Sequence, residues 1–144
     1  MIGKLDVSVQ HSIRKNRLEE VTEIVPYLTH DLIAEELKSA SVLYLPINNT
    51  PNAKAVQTGK IFEYIAAERP ILGIGPEEGD AARILNDTNA GIMIDFNNRD
   101  KIRNALLDFR KKFKEGKERK IEGKERYSRK NLTRQIAEVL QEIS

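Results

Sequence analysis

Four short runs of consecutive apolar residues, evenly spaced along the chain, limit its fold more than any other feature. They are EIVPYL at 23–28, VLYLPI at 42–47, PILGIG at 70–75 and GIMID at 91–95. A strand with one wet face alternates apolar and polar residues. These runs do not, so they read as strands covered on both faces. Amphipathic helical patterns separate them. HDLIAEELKSA sets Leu32, Ile33, Leu37 and Ala40 on one face, with Thr29 or Asp31 placed to cap it. KIFEYIAA groups Ile61, Phe62 and Ile65, and DAARILNDT follows with Asp80 as the expected N-cap. Alternation of this kind predicts an α/β fold, a Rossmann-like parallel sheet with helices on both faces.

The two ends read differently. An amphipathic helix at 6–17 opens the chain with almost nothing before it, whereas a doubly wound domain ordinarily opens on a central strand. The expectation is therefore a sheet incomplete at its N-terminus. After residue 95 the pattern is helical, with Ile102, Leu106 and Phe109 on one face. NLTRQIAEVLQEI closes the chain with Leu132, Ile136, Val139, Leu140 and Ile143 at helical spacing, a face that needs an apolar surface to lie on. The chain reads as one domain, an α/β part at 1–109 followed by a basic segment and C-terminal helix at 110–144. Its 144 residues suit a single modest core.

Composition excludes several function classes. Without cysteine there is no disulfide and no thiolate zinc site, and with only His11 and His30 a metal centre would rest on carboxylates that do not cluster. No metal and no cofactor is expected. No apolar run approaches the roughly 20 residues of a membrane helix, and no signal peptide opens the chain, which is compatible with the cytoplasm. Charge is unevenly spread. Residues 110–130 hold eleven Lys/Arg against four Glu, a local +7 in a chain of net +2. Such a run is ordinarily a solvated helix face; the sharper reading is a patch for an anionic surface. Only Phe113 and Tyr127 interrupt it, few for stacking on bases, so nucleic acid is not expected.

In a parallel sheet, ligands collect where strand ends meet helix starts. The long polar loop NNTPNAKAVQTGK leads from the 42–47 run into the helix opened by Gly59. Gly59 admits close approach to the backbone, Lys60 suits a phosphate, and Glu63 lies one turn on, facing the same side. A carboxylate there suits a pair of sugar hydroxyls. An ordinary Lys60–Glu63 helix pair fits the spacing equally well. GIGPEEGD has a look of the dinucleotide fingerprint, but Gly73, Gly75 and Gly79 are wrongly spaced and Glu77 and Glu78 would repel a pyrophosphate. It reads as a turn with a helix cap. Glu77, Glu78 and Asp80 read as solvated acids, and His30 as a helix-start residue.

The stretch TGKIFEYIAAERPILGIGPEEGDAARILNDTNAG resembles the donor-binding half of glycosyltransferases of the two-Rossmann-domain (GT-B) type. It is closest to the retaining, group 1 family of bacterial polysaccharide biosynthesis. The resemblance is carried by Glu63-Tyr64, Ala66-Ala67, Pro70, the strand at 71–75 and Ala90-Gly91, and runs from about residue 20 onward. In that family two glutamates stand seven residues apart, the second holding the donor's ribose hydroxyls while the helix start faces the diphosphate. Glu63 matches the second. The first falls at Ala55, near the donor sugar, where this sequence departs from the pattern. Thr58, Gly59 and Lys60 match the diphosphate site, and Tyr27 and Leu28 fall where the family brackets the base; no catalytic residue is assigned.

The resemblance implies a cytoplasmic enzyme, at the inner face of the membrane where its acceptor is lipid-linked. It would transfer a sugar with retention from a nucleotide-diphosphate donor to a glycan or lipid-linked acceptor. It implies a partner N-terminal domain of the same enzyme, without which the fragment would be inactive. A non-catalytic nucleotide-binding or interaction module, or a sugar-nucleotide epimerase of related architecture, are the alternatives. Missing opening strands would leave the 42–47 strand with a bare edge, so self-association of the fragment is expected.

Overall fold

The computed structural model describes residues 1–117 and 119–143. The chain divides into two compact units, Met1–Glu36 and Leu37–Ser144.

In the first unit, α1 (Val7–Lys15) begins at an Asp6 cap. The Asp6 carboxylate accepts from the Ser8 hydroxyl at 2.5 Å and the Ser8 amide at 2.8 Å, bonds that hold its carboxyl below the usual range. Ile13 is the buried residue of this helix. The strand expected at 23–28 does not form. Val25 makes a single parallel bridge to Ile2, its amide donating to Met1 O at 2.8 Å and its carbonyl accepting from Gly3 N at 2.9 Å. Pro26 has no N–H with which to continue a ladder, so a run that is apolar enough for a strand stops at one bridge. Ile24 and Tyr27 are left exposed. Helix α2 (His30–Ser39) begins in this unit and ends in the next.

In the second unit, β1 (Leu43–Pro46), β2 (Ile71–Ile74) and β3 (Gly91–Ile94) form a parallel sheet in the order β1-β2-β3. Leu43 stands opposite Ile71, and Ile71 opposite Gly91. Parallel neighbours need crossovers: α3 (Lys60–Ala66) joins β1 to β2, and α4 (Asp80–Asp87) joins β2 to β3. Helix α5 (Arg99–Lys114) follows β3, and α6 (Arg129–Glu142) is the last. The expected alternation is thus realised in three of its strands and all of its helices.

Side chains alternate across the sheet and build a core on each face. Leu43, Leu45, Ile71 and Met93 pack with Ile61 and Ile65 of α3 and with Ala81, Ala82 and Leu85 of α4. Leu72 and Ile94 pack on the other side with Phe109 of α5, flanked by Ile102 and Ala105. Helices therefore cover both faces of the sheet. Leu45, Ile61, Ile71, Leu85 and Ile94 are wholly buried. Strands β2 and β3 are covered on both faces as expected, but the edge strand β1 is not: Leu43 and Leu45 are buried while Tyr44 and Pro46 face outward exposed. The segment after α5 closes on the start of β3. The Arg119 guanidinium donates to Gly91 O at 3.2 Å, and Glu122 N to Thr88 O at 2.8 Å.

Helix ends follow local chemistry, with one correction. Asp80 is not the cap of α4 but its first residue, its carboxylate accepting from Arg83 at 2.8 Å. Gly79 takes the cap position because the chain passes so close to Lys54 O that a Cβ would lie 2.7 Å from it. Helix α3 stops where Glu68 turns left-handed (φ 57), two residues before Pro70.

Candidate functional site

The carboxyl ends of the three strands share one end of the sheet, and the loops 47–59, 75–79 and 95–98 leave from it. The first is the longest. It holds one turn of 3-10 helix, Ala53–Ala55, in which Ala53 is buried and Ala55 exposed, then delivers the chain to α3.

Lys60 and Glu63 lie on the first turn of α3, Gly59 is its cap residue and Thr58 stands just before it. Gly59 has an ordinary right-handed conformation (φ −54, ψ −28), and a Cβ there would meet nothing within 4 Å. Neither backbone nor packing calls for glycine, so its missing side chain simply leaves the backbone open. The half-buried Thr58 accepts from the Lys60 amide at 3.3 Å through its hydroxyl. Lys60 and Glu63 are exposed, and among the described residues neither belongs to an ion pair; the helix pair that their spacing allows is not made. Burial raises the Tyr64 phenol above its usual range, and the neighbouring Glu63 carboxylate adds to the effect. With two turns, α3 has a small dipole, so any anion held here would depend on Lys60 and open amides. Tyr27 and Leu28 lie in the first unit, Tyr27 with 84% of its surface in water and Leu28 half-buried.

GIGPEEGD does other work. A Cβ at Gly73 would strike the Met93 side chain at 2.7 Å, and one at Gly75 would strike Ile47 at 2.9 Å, so these glycines serve close packing within the sheet. Glu77 ties two loops together. Its carboxylate accepts from Lys101 Nζ at 2.8 Å and the Asp95 amide at 3.2 Å, and the Lys101 bond, helped by the amide, lowers its carboxyl below the usual range. A shallow hollow of about 540 Å³ opens beside it, lined by Glu77, Asp95, Asn97, Asn98, Arg99 and Asp100. The sequence reading missed this hollow; its signal was Asp95 and Asp100 bracketing two asparagines after the third strand. Three carboxylates against one guanidinium make it a poor home for a diphosphate.

The basic run at 110–130 is divided by the fold. Lys112 pairs with Asp108, Lys117 with Glu115 and Lys124 with Glu68, while Arg119 is turned onto Gly91 O. The Tyr127 ring lies 5.7 Å from that of Phe62, in contact with the core, whereas Phe113 is 48% exposed. Among the described residues, no group of three or more His, Asp or Glu side chains is arranged to hold a metal ion, and no helix is long and apolar enough to cross a membrane. No family model matches the chain, and no curated protein or solved structure matches it either.

Proposed function

We propose that the chain is the nucleotide-sugar-binding part of a retaining glycosyltransferase, working with an N-terminal domain of the same enzyme. In this reading Glu63 accepts bonds from the ribose hydroxyls, and Thr58, Gly59 and Lys60 meet the diphosphate. The observation that carries it is the unspent chemistry on the first turn of α3. A cation and a carboxylate stand exposed one turn apart, unpaired among the described residues, beside a glycine that the fold does not require. The loop that presents them leaves a carboxyl strand end, where α/β sheets ordinarily bind ligands. The chain's part in transfer would be to hold and orient the donor, the acceptor face coming from the partner domain.

NMR titration of the chain with UDP and GDP tests this reading. A carboxylate accepting two hydroxyl bonds is worth about 1.5–3 kcal/mol, so Glu63→Ala should weaken binding roughly ten- to hundredfold. Resonances at 58–63 should move first. Unchanged affinity in Glu63→Ala, or no binding by the unaltered chain, would overturn it.

Ala55 favours a second reading. Its exposed methyl stands where a carboxylate would meet the donor sugar, and it offers no hydrogen bond. A module that binds nucleotide without transferring sugar needs Glu63 but not a carboxylate at 55. Equal affinity for UDP and its sugar conjugates would support the module.

A further inference from the structure

We propose that the outward face of α5 seats on an anionic phospholipid surface. Arg103, the pair Leu106 and Leu107, Arg110, and the pair Phe113 and Lys114 recur at intervals of three and four, so they form one continuous face. The adjoining side of the helix, through Ile102, Ala105 and Phe109, packs on the sheet, with Leu106 and Phe113 on the shoulder between the two. Leu106, Leu107 and Phe113 are 47%, 50% and 48% exposed, which is unusual for three large apolar side chains on one solvated face. Among the described residues Arg103, Arg110 and Lys114 belong to no ion pair. Of the two acids on the helix, Asp108 is taken by Lys112 at 2.7 Å and Asp100 lies back in the first turn.

Interleaved cations and apolar side chains supply the two signals that peripheral attachment needs. The cations are drawn to anionic headgroups, and the leucines and phenylalanine enter the boundary between headgroups and acyl chains. Charge complementarity selects an anionic bilayer over a zwitterionic one. Nucleic acid fits less well, because phosphates offer Leu106 and Leu107 nothing and Phe113 alone is a poor stacking platform. This surface shares Arg110, Phe113 and Lys114 with the 110–130 run and leaves out its later cations, of which Lys117, Arg119 and Lys124 are engaged within the fold. The proposal is independent of nucleotide binding at α3.

The test is co-sedimentation of the whole chain with vesicles of phosphatidylcholine, and of phosphatidylcholine with phosphatidylserine, at low and high salt. Binding is expected only with phosphatidylserine, and it should weaken as salt screens the cations. Each cation near the surface is worth about fivefold in partitioning, so Arg103→Ser with Arg110→Ser should lose roughly 25-fold. Leu107→Ser with Phe113→Ser should weaken binding further at constant charge. All four positions are exposed, so far-UV circular dichroism and the urea midpoint should hold, separating lost binding from misfolding. Equal sedimentation with neutral vesicles, or none with either, overturns the proposal. So does indifference to the Arg pair or to the Leu107/Phe113 pair, or retention of a polyglutamate or an oligonucleotide without vesicle binding.

Discussion

Gly59 and Gly79 each stand at the start of a helix, and their missing side chains serve opposite ends. At Gly79 a methyl would sit 2.7 Å from Lys54 O, a backbone atom that cannot swing aside; at Gly59 it would meet open space. Gly79→Ala should therefore lower stability by about 1–3 kcal/mol through overpacking. Gly59→Ala should leave stability unchanged or raise it by up to about 1 kcal/mol, since alanine restricts the unfolded chain. Urea unfolding of the two variants measures the difference, and equal losses would sink it. Sequence shows both glycines as residues before a helix and cannot separate them, because the decisive neighbour of Gly79 lies 25 positions away. Asp80 misleads for the same reason. An aspartate before an apolar run looks like a cap, but the close pass of the 53–55 turn had already settled the cap on glycine.

At the scale of elements, α5 is the clearest case of a pattern read well in part. Its spacing predicts Ile102, Leu106 and Phe109 as one buried face. Ile102 and Phe109 do face the sheet, but Leu106 lies on the shoulder and is 47% exposed. The three-stranded sheet gives the helix a narrow seat, so an apolar stripe legible in the sequence is wider than the surface that receives it. The seat depends on few side chains. Leu72, Ile94 and Phe109 are the fully buried members of this core, so Phe109→Ala should cost about 3–5 kcal/mol in urea unfolding. A loss under 1 kcal/mol would mean that the helix contributes little to folding. Strands β2 and β3 were legible because burial on both faces removed polar residues, whereas β1 was legible by composition although one of its faces, at Tyr44 and Pro46, is exposed. The 23–28 run shares that composition, but the fate of a strand also depends on a partner and on a donor at each step, and Pro26 lacks the latter. The candidate site at α3 was legible as residue types at a spacing. Whether Lys60 and Glu63 spend their charges on each other was not, because helix geometry permits the pair without requiring it.

For the whole molecule, the two edges of the sheet are unlike. Leu43 N donates to Pro70 O and Ile47 N to Ile74 O, so the alternate residues, Tyr44 and Pro46, turn their backbone groups outward from β1. Tyr44 is 53% exposed, and by the alternation of a parallel ladder its amide faces away from β2. Pro46 has no N–H to offer. The edge can recruit a strand, but with one donor it does so weakly. The exposed side chains of α6, Leu132, Ile136, Val139 and Leu140, add an apolar groove of about 480 Å³. Light scattering across a dilution series should show an apparent mass that rises with concentration, and Tyr44→Pro, which removes the last donor, should flatten the rise. A constant monomer mass at every concentration would count against the edge. At the far side, Gly91 and Met93, whose backbone groups turn away from β2, are buried, and the Arg119 guanidinium occupies Gly91 O. A sheet that can be extended from one side only has a valence of one. Two copies joined along β1 would exhaust it, so edge pairing closes as a two-fold dimer and has no next member to add. The ribbon growth that makes open sheets hazardous is cut off by the burial of the edge opposite the one that invites it.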